Sequence, residues 1–386
     1  MTAFTARLVT DGAGFAALAA DWDRLYRRCP TATPFQSHAW LHSWWRSYGE
    51  HGRLRLLLVY DDGPDRALVA AAPLMQVRRP VPALVPLGGA ISDYGDVLVD
   101  GERGEPVVAA LTDALSAAAR TALIDLREVR PGGAAERVYA RWRGPRHRVA
   151  DSPCLELPAV PMRELIARLP SAKAQQRVRA KLRRLDALGV QRHVVGPDAV
   201  GAALERLLEL HRMQWRGRNV TPEHLRARFR AHLVRSVGAM ARTGDAVVTE
   251  FRMPGAAGAG AGGPSGDVVA VDVTLLSPRL AGCYLYGAHP VLRQHKADVA
   301  VMLLDACTTH VKDGTYDALS LLRGDEPYKR HWHPDPVVSR RLLLARRRTA
   351  PLMAAVLGDV AARRRGKEVL RRLRERRDTA AWAGPS

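Results

Sequence analysis

A chain of 386 residues is longer than one ordinary hydrophobic core serves, which predicts two folded lobes. Hydrophobic residues at 47% and charged residues at 25% exclude a disordered chain, and no run reaches the roughly eighteen apolar residues of a membrane span. The charge of +20 points toward anionic partners, and four scattered cysteines, Cys29, Cys154, Cys283 and Cys307, exclude a disulfide scaffold and suit a reducing compartment.

The first residues lack the basic-then-apolar pattern of a secretory leader, so a cytoplasmic protein is expected. Residues 12–28 carry Phe15, Leu18, Trp22 and Leu25 at helical spacing, and residues 38–48 form a second helix with Trp40 and Trp44 on one face. Strands are predicted over 54–60 and 67–77 as an antiparallel pair around the turn Asp61-Asp62-Gly63-Pro64. Residues 80–86 read as loop. Asp93-Tyr94-Gly95-Asp96 leads into a short strand at 97–99, followed by a helix over 104–119, a strand within 122–129 and a helix over 134–142. This first α/β unit spans residues 1–150, and Arg146 to Pro158 reads as a bridge.

The second unit, 151–345, opens with a basic helix from Ser171 that Gly189 ends as a C-cap. Helices over 199–215 and 222–243 follow, then strands at 246–251, 268–276 and 282–287, a helix over 295–312, and strands at 316–321 and 337–344. The Gly- and Ala-rich stretch 254–266 has nothing to bury and reads as a flexible hairpin insertion. Residues 346–386 form a basic helical tail. Together 163–192 and 340–378 supply +17 of the net charge, the footprint of a polyanion such as nucleic acid, anionic lipid or a phosphate-rich substrate. No dinucleotide-binding or P-loop signature occurs.

The densest chemistry lies in Leu322-Arg323-Gly324-Asp325-Glu326-Pro327-Tyr328-Lys329-Arg330-His331-Trp332, directly after a strand. Only six of the 59 basic residues are Lys, so Lys329 stands out as a compact three-donor ammonium where arginine is the default. His331 and His333 alternate, but no third ligand has metal-site spacing, so no metal is expected.

These residues carry a family resemblance. Pro34-Phe35-Gln36, Trp40-Leu41, Trp44-Trp45, Pro73-Leu74 and Asp93-Tyr94-Gly95-Asp96 resemble the N-terminal half of the CelD/BcsL-like acyltransferases of the GNAT superfamily. Leu207 to Trp215, Tyr284 to Pro290 and the 322–332 run resemble the C-terminal half, so the likeness covers residues 10–340. It implies tandem GNAT-like lobes with mixed, largely antiparallel sheets, as in the peptidoglycan bridge-forming transferases, and acyl transfer to an amine. One stretch departs from the family: where members carry Pro-Gly before a helix, this chain reads Leu292-Arg293-Gln294-His295-Lys296-Ala297-Asp298. Side-chain charge on Arg293 and Lys296 would then replace backbone donors at a pyrophosphate.

Amide formation requires an amine that loses a proton, a stabilised oxyanion and a protonated leaving group. Asp325 or Glu326 would take the proton, Tyr328 would protonate the leaving group, and Lys329 would hold the oxyanion or a phosphate. His289 is a further candidate base, and Asp93 would orient the acceptor across the interlobe cleft. Arg323, Tyr286, Arg293 and Lys296 are the expected donor-binding residues, and Tyr94, His211, Arg212, Trp215 and Trp332 the expected acceptor contacts. The donor is read as acetyl-CoA or another acyl-CoA. Two alternatives stay open: aminoacyl-tRNA gripped by the basic segments 173–184 and 363–377, and a non-catalytic binder of nucleic acid or anionic surfaces.

Overall fold

The computed structural model describes residues 3–78, 80–214, 221–255, 266–311, 314–324, 326–363 and 365. The first half runs β1 (Phe4–Val9), α1 (Gly12–Ala17), α2 (Ala19–Arg28), α3 (His38–Tyr48), β2 (Arg53–Asp61), β3 (Leu68–Val77), β4 (Ala83–Pro86), β5 (Leu98–Val99), α4 (Gly104–Ala118), β6 (Leu123–Val129), α5 (Ala134–Arg141) and β7 (Arg146–Pro158). In the second half come α6 (Met162–Ala167), α7 (Ala172–Ala187), β8 (Gln191–Val194), α8 (Val200–Gln214), α9 (Ala227–Arg242), β9 (Ala246–Met253), β10 (Asp267–Leu276) and β11 (Leu280–Ala288). Then follow α10 (Val291–Gln294), α11 (Val299–Thr309), β12 (Ala318–Arg323), α12 (Pro327–Arg330), β13 (Asp335–Leu344) and α13 over 350–363.

Side-chain caps set several of these boundaries. The Asp11 carboxylate accepts from Gly14 N, Ser37 Oγ from Trp40 N and Asp298 Oδ1 from Val301 N, each satisfying an otherwise orphaned first-turn donor. The helix expected over 12–28 is divided at Leu18, and the one expected over 295–312 starts at Val299 instead, because Asp298 caps it there.

All the strands join one sheet in the order β1-β2-β3-β4-β6-β13-β7-β12-β11-β10-β9-β8, with β5 on β3. Most joints are antiparallel. Two are parallel, one in each half: β4 beside β6 and β11 beside β12. The halves thus repeat one plan, tandem GNAT-like lobes of mixed sheet flanked by helices. The final strand is inserted at the centre, where β13 pairs with β6 of the first half and with β7.

Two expectations fail at this joint. The stretch 80–86, read as loop, contains β4, and Arg146 to Pro158, read as a bridge, is the thirteen-residue strand β7. Neither has a clean alternation; β7 is a strand because β13 and β12 pair along its two edges. Residue 150, where the sequence suggests a lobe boundary, lies inside β7.

The cores follow the apolar faces. Trp22, Trp40 and Phe229 are fully buried where α3 packs against α2 and α9, and Trp45 is only partly covered, as its position in the helix demands. No helix among the described residues is long and apolar enough to cross a membrane.

Where β13 crosses the first lobe, Arg341 forks onto the buried Asp125 carboxylate at 2.6 and 2.7 Å. Removing one partner of such a pair strands a charge in the interior. Arg341→Ala is expected to lower the unfolding free energy by about 3 kcal/mol, measured by urea denaturation.

Candidate active site in the fork of the second lobe

β11 and β12 run as parallel neighbours only from Leu280 to Gly282 against Ala318 to Ser320, and then separate. The cause lies in β12. Leu322 has φ 58°, a left-handed conformation that costs an L-residue about 1–2 kcal/mol. Its amide turns back to Ser320 Oγ at 3.1 Å, and its side chain fills the space over Gly282, where an added Cβ would lie 3.2 Å from it. The strand register shifts at this point, and Gly324, at φ 106°, completes the turn.

A cavity of about 430 Å³ occupies the fork. Its walls come from Cys283 to Tyr286 on β11, from Leu321 to Gly324 at the end of β12, from α11, and from Ala90, Ile91 and Asp93 of the first lobe. Of the expected site residues, this brings together Asp93, His211, Tyr286, Arg323, Glu326, Tyr328, Lys329 and Trp332.

Arg323 closes the side facing the first lobe. Its Nε donates to Asp93 Oδ1 at 2.6 Å, Nη2 donates to the carbonyls of Ala90 (2.6 Å) and Ser92 (3.0 Å), and Nη1 reaches Glu128 Oε1 at 3.4 Å. Burial pushes the Asp93 carboxyl upward, and the guanidinium opposes that push. Arg323, expected to hold the donor, is therefore an interlobe clamp. Tyr284 adds a hydrogen bond from its hydroxyl to Ile91 O at 3.2 Å.

Lys329 is buried in the wall. Its ammonium donates to Arg323 O at 2.9 Å and Gly324 O at 3.4 Å, and pairs with Glu326 Oε2 at 2.8 Å, so it pins the turn that carries the motif. Tyr328 stands at the mouth, and burial raises its phenol, keeping it protonated at neutral pH.

The sequence reading missed Asp272. This carboxyl lies on β10 opposite Tyr286, only 3% exposed, in the cavity wall. Burial pushes its pKa up to about 7, opposed by the Thr274 hydroxyl at 3.2 Å and the Cys307 thiol at 3.6 Å. The signal was a lone acid within the apolar run Val268 to Leu276. His224 was missed as well. His211 Nδ1 donates to Tyr286 O at 2.9 Å, which leaves Nε2 to accept from His224 Nδ1 at 3.3 Å. Burial lowers both imidazoles, His224 to about 4, so the pair is neutral at pH 7.

Other expected residues stand elsewhere. Tyr94 is buried below the cavity, donating to Glu156 Oε1 at 2.9 Å and meeting Ser320 Oγ at 3.0 Å, so it touches no ligand space. His289 Nδ1 accepts from Val291 N at 3.2 Å and caps the turn after β11, away from the cavity lining. Arg212, Arg293 and Lys296 are exposed outside it: α8 turns Arg212 to solvent, Arg293 lies on the exposed side of α10, and Lys296 falls in the connection between α10 and α11. Asp325 and Trp215 lie outside the described residues. No cluster of His, Cys, Asp or Glu among the described residues could hold a metal ion.

Residues 172–330 match the model of the acetyltransferase (GNAT) domain, and this segment contains the fork and nearly all of its lining. No curated protein matches the chain. Among solved structures the chain is similar to FemX, with a TM-score of 0.58 at 10% identity over 84% of this chain and 95% of that one. It is also similar to a conserved protein of unknown function from Bacteroides thetaiotaomicron VPI-5482, with a TM-score of 0.55 at 13% identity over 88% of this chain and 100% of that one. A third is the C-terminal domain of a putative lysylphosphatidylglycerol synthetase from Agrobacterium fabrum, with a TM-score of 0.52 at 11% identity over 91% and 96%. At these identities the likenesses speak for the fold. The domain match marks residues 172–330 as an acetyltransferase (GNAT) domain, and the solved structures share the fold around it.

Arg323→Ala would leave Asp93 and Glu128 facing each other without their counter-charge. The expected loss is about 3 kcal/mol of stability, with Arg323→Lys recovering only part because lysine cannot span the carboxylates and carbonyls together; chemical denaturation of both variants reads this.

Proposed function

We propose that the protein transfers an acyl group from an acyl-CoA to a small amine by direct attack in the fork, as a CelD/BcsL-like member of the superfamily. The observation that carries this reading is the Asp272 carboxyl, buried in a cavity wall and titrating near neutrality beside an opened strand pair. In this role it replaces Asp325 or Glu326, the bases suggested by the sequence.

Beyond Gly282 the edge of β11 facing the fork is released from its parallel partner. An extended donor with amide groups, such as the pantetheine arm of CoA, can hydrogen-bond to that edge as an added strand does. The acyl carbonyl then lies in the cavity, with edge N–H groups available to the developing oxyanion. The amine nitrogen attacks the acyl carbon, the carbon–sulfur bond breaks, Asp272 accepts the amine proton, and the Tyr328 hydroxyl supplies a proton to the departing thiolate. Positioning supplies much of the rate, so no covalent enzyme intermediate is needed.

The Asp272 proposal couples activity to stability with opposite signs. A folded-state pKa near 7 means that between pH 4 and 7 the unfolded chain has already released a proton that the native state retains. Stability therefore falls as pH rises through that window. Asp272→Asn is expected to raise the melting temperature at pH 8, to lower kcat about 10²-fold or more, and to abolish the rise of kcat/KM through pH 7. An unchanged pH–rate profile would remove Asp272 as the base.

A second donor, aminoacyl-tRNA, is favoured by one observation: α7 presents Arg177, Arg179 and Arg183 exposed on one helix, while Lys181 is paired with Asp298 at 2.7 Å. Most of the other basic segment, 363–377, lies outside the described residues. Acetyl-CoA is expected to raise the melting temperature in a manner insensitive to RNase. Copurifying RNA, with affinity falling steeply as salt is added, would instead select the tRNA donor.

A further inference from the structure

A second cavity, of about 730 Å³, lies in the first lobe and shares no lining residue with the fork. Arg120, Arg141, Arg143, Arg346, Arg347 and Arg348 converge on it, against one carboxylate, Asp113. We propose that this arginine-lined cavity binds a compact polyphosphate, a ligand carrying two or more linked or clustered phosphate groups.

Many arginines elsewhere are neutralised by carboxylates. Arg28, Arg130 and Arg341 reach Asp100, Glu156 and Asp125, and many exposed arginines have acidic partners too. None of the six cavity arginines makes an ion pair among the described residues. Arg346 reaches only a backbone carbonyl, Ser116 O at 3.5 Å. Six like charges around one concavity repel one another, and an anion placed among them relieves that repulsion.

The backbone beneath is fixed while the guanidinium heads stay available. Trp142 Nε1 donates to Ala345 O at 2.9 Å, Ala345 N donates to Pro145 O at 2.8 Å, and Arg346 N donates to Thr349 Oγ1 at 3.0 Å. Gly144 lets the two segments approach: a Cβ there would lie 2.2 Å from Ala345 O. The segments carrying Arg143 and Arg346 to Arg348 are thereby held together, with Arg120 at the end of α4 opposite.

Chemistry and size select the ligand class. Guanidinium pairs bidentately with phosphate oxygens and stays charged at every relevant pH. The volume falls in the range of small-ligand sites and exceeds what one phosphate fills. A flat bilayer surface cannot enter a concavity of this kind, whereas a compact anion can be surrounded by all three chain segments.

Calorimetric titration of the full-length protein with tripolyphosphate tests the assignment. Expected is saturable one-to-one binding, at least tenfold tighter than that of inorganic phosphate, and weakened at least tenfold in Arg143→Ala/Arg347→Ala. The α7 variant Arg177→Ala/Arg183→Ala should bind as the parent does. Should the double variant not fold, as judged by circular dichroism, the single exposed change Arg120→Ala decides by the same tenfold criterion. Non-saturable binding, equal affinity for inorganic phosphate, or indifference to the arginine substitutions overturns the proposal. So does a single-stranded RNA oligonucleotide or a phosphatidylglycerol vesicle that binds through these arginines more tightly than tripolyphosphate.

Discussion

The backbone of Leu322 is a leucine held where leucine is disfavoured, and the cavity exists because of it. Were the residue extended, β12 would continue its ladder beside β11, the fork would close, and Arg323 would point along the sheet. Three contacts hold the conformation: the Leu322 amide on Ser320 Oγ, the leucine side chain over Gly282, and the guanidinium of the next residue locked into the first lobe. Glu128, at the far end of that clamp, also has a left-handed backbone, φ 55°, and one of its buried carboxylate oxygens finds no hydrogen-bond partner among the described residues. Strain on both sides of one interlobe contact is tolerated because the surrounding packing over-determines it.

The first lobe thus supports the cavity while supplying only a few of its lining residues. Its Asp93-Tyr94-Gly95-Asp96 run divides the work residue by residue. Asp93 holds Arg323; Tyr94 joins Glu156, which Arg130 in turn grips at 2.6 and 2.8 Å. Gly95 allows the chain to pass Arg127 O, where a Cβ would lie at 2.6 Å, and Asp96 accepts from the first amides of α5. Four neighbouring residues therefore place one wall of the cavity at a set distance from the other.

Much of this was legible in the sequence, for identifiable reasons. The helix over 38–48 has both an apolar face and a serine cap, and its observed limits match the expected ones. The strands flanking the fork are mostly apolar. Strands β1, β4, β7 and β8 were not visible because they are short, polar or interrupted by proline, and become strands through their partners. The 322–332 motif located the cavity because a phenol, an ammonium and an indole crowded together have few structural uses. Side-chain direction was the hidden variable. Local pattern could not tell that Arg323 would turn to the first lobe, that Tyr94 would sink below the site, or that Asp272, one acid in a hydrophobic strand, would face the cavity.

The central placement of β13 has a consequence for how the polypeptide is made. On the ribosome, β4 and β6 emerge some two hundred residues before the strand that lies against β6, so the nascent first lobe waits with an open sheet edge. Its completion is deferred until the second half has been translated and β13 can return between β6 and β7. The two lobes consequently reach the native state as one cooperative event, and a chain stalled before residue 335 would carry a sticky, unfinished edge rather than a finished N-terminal domain.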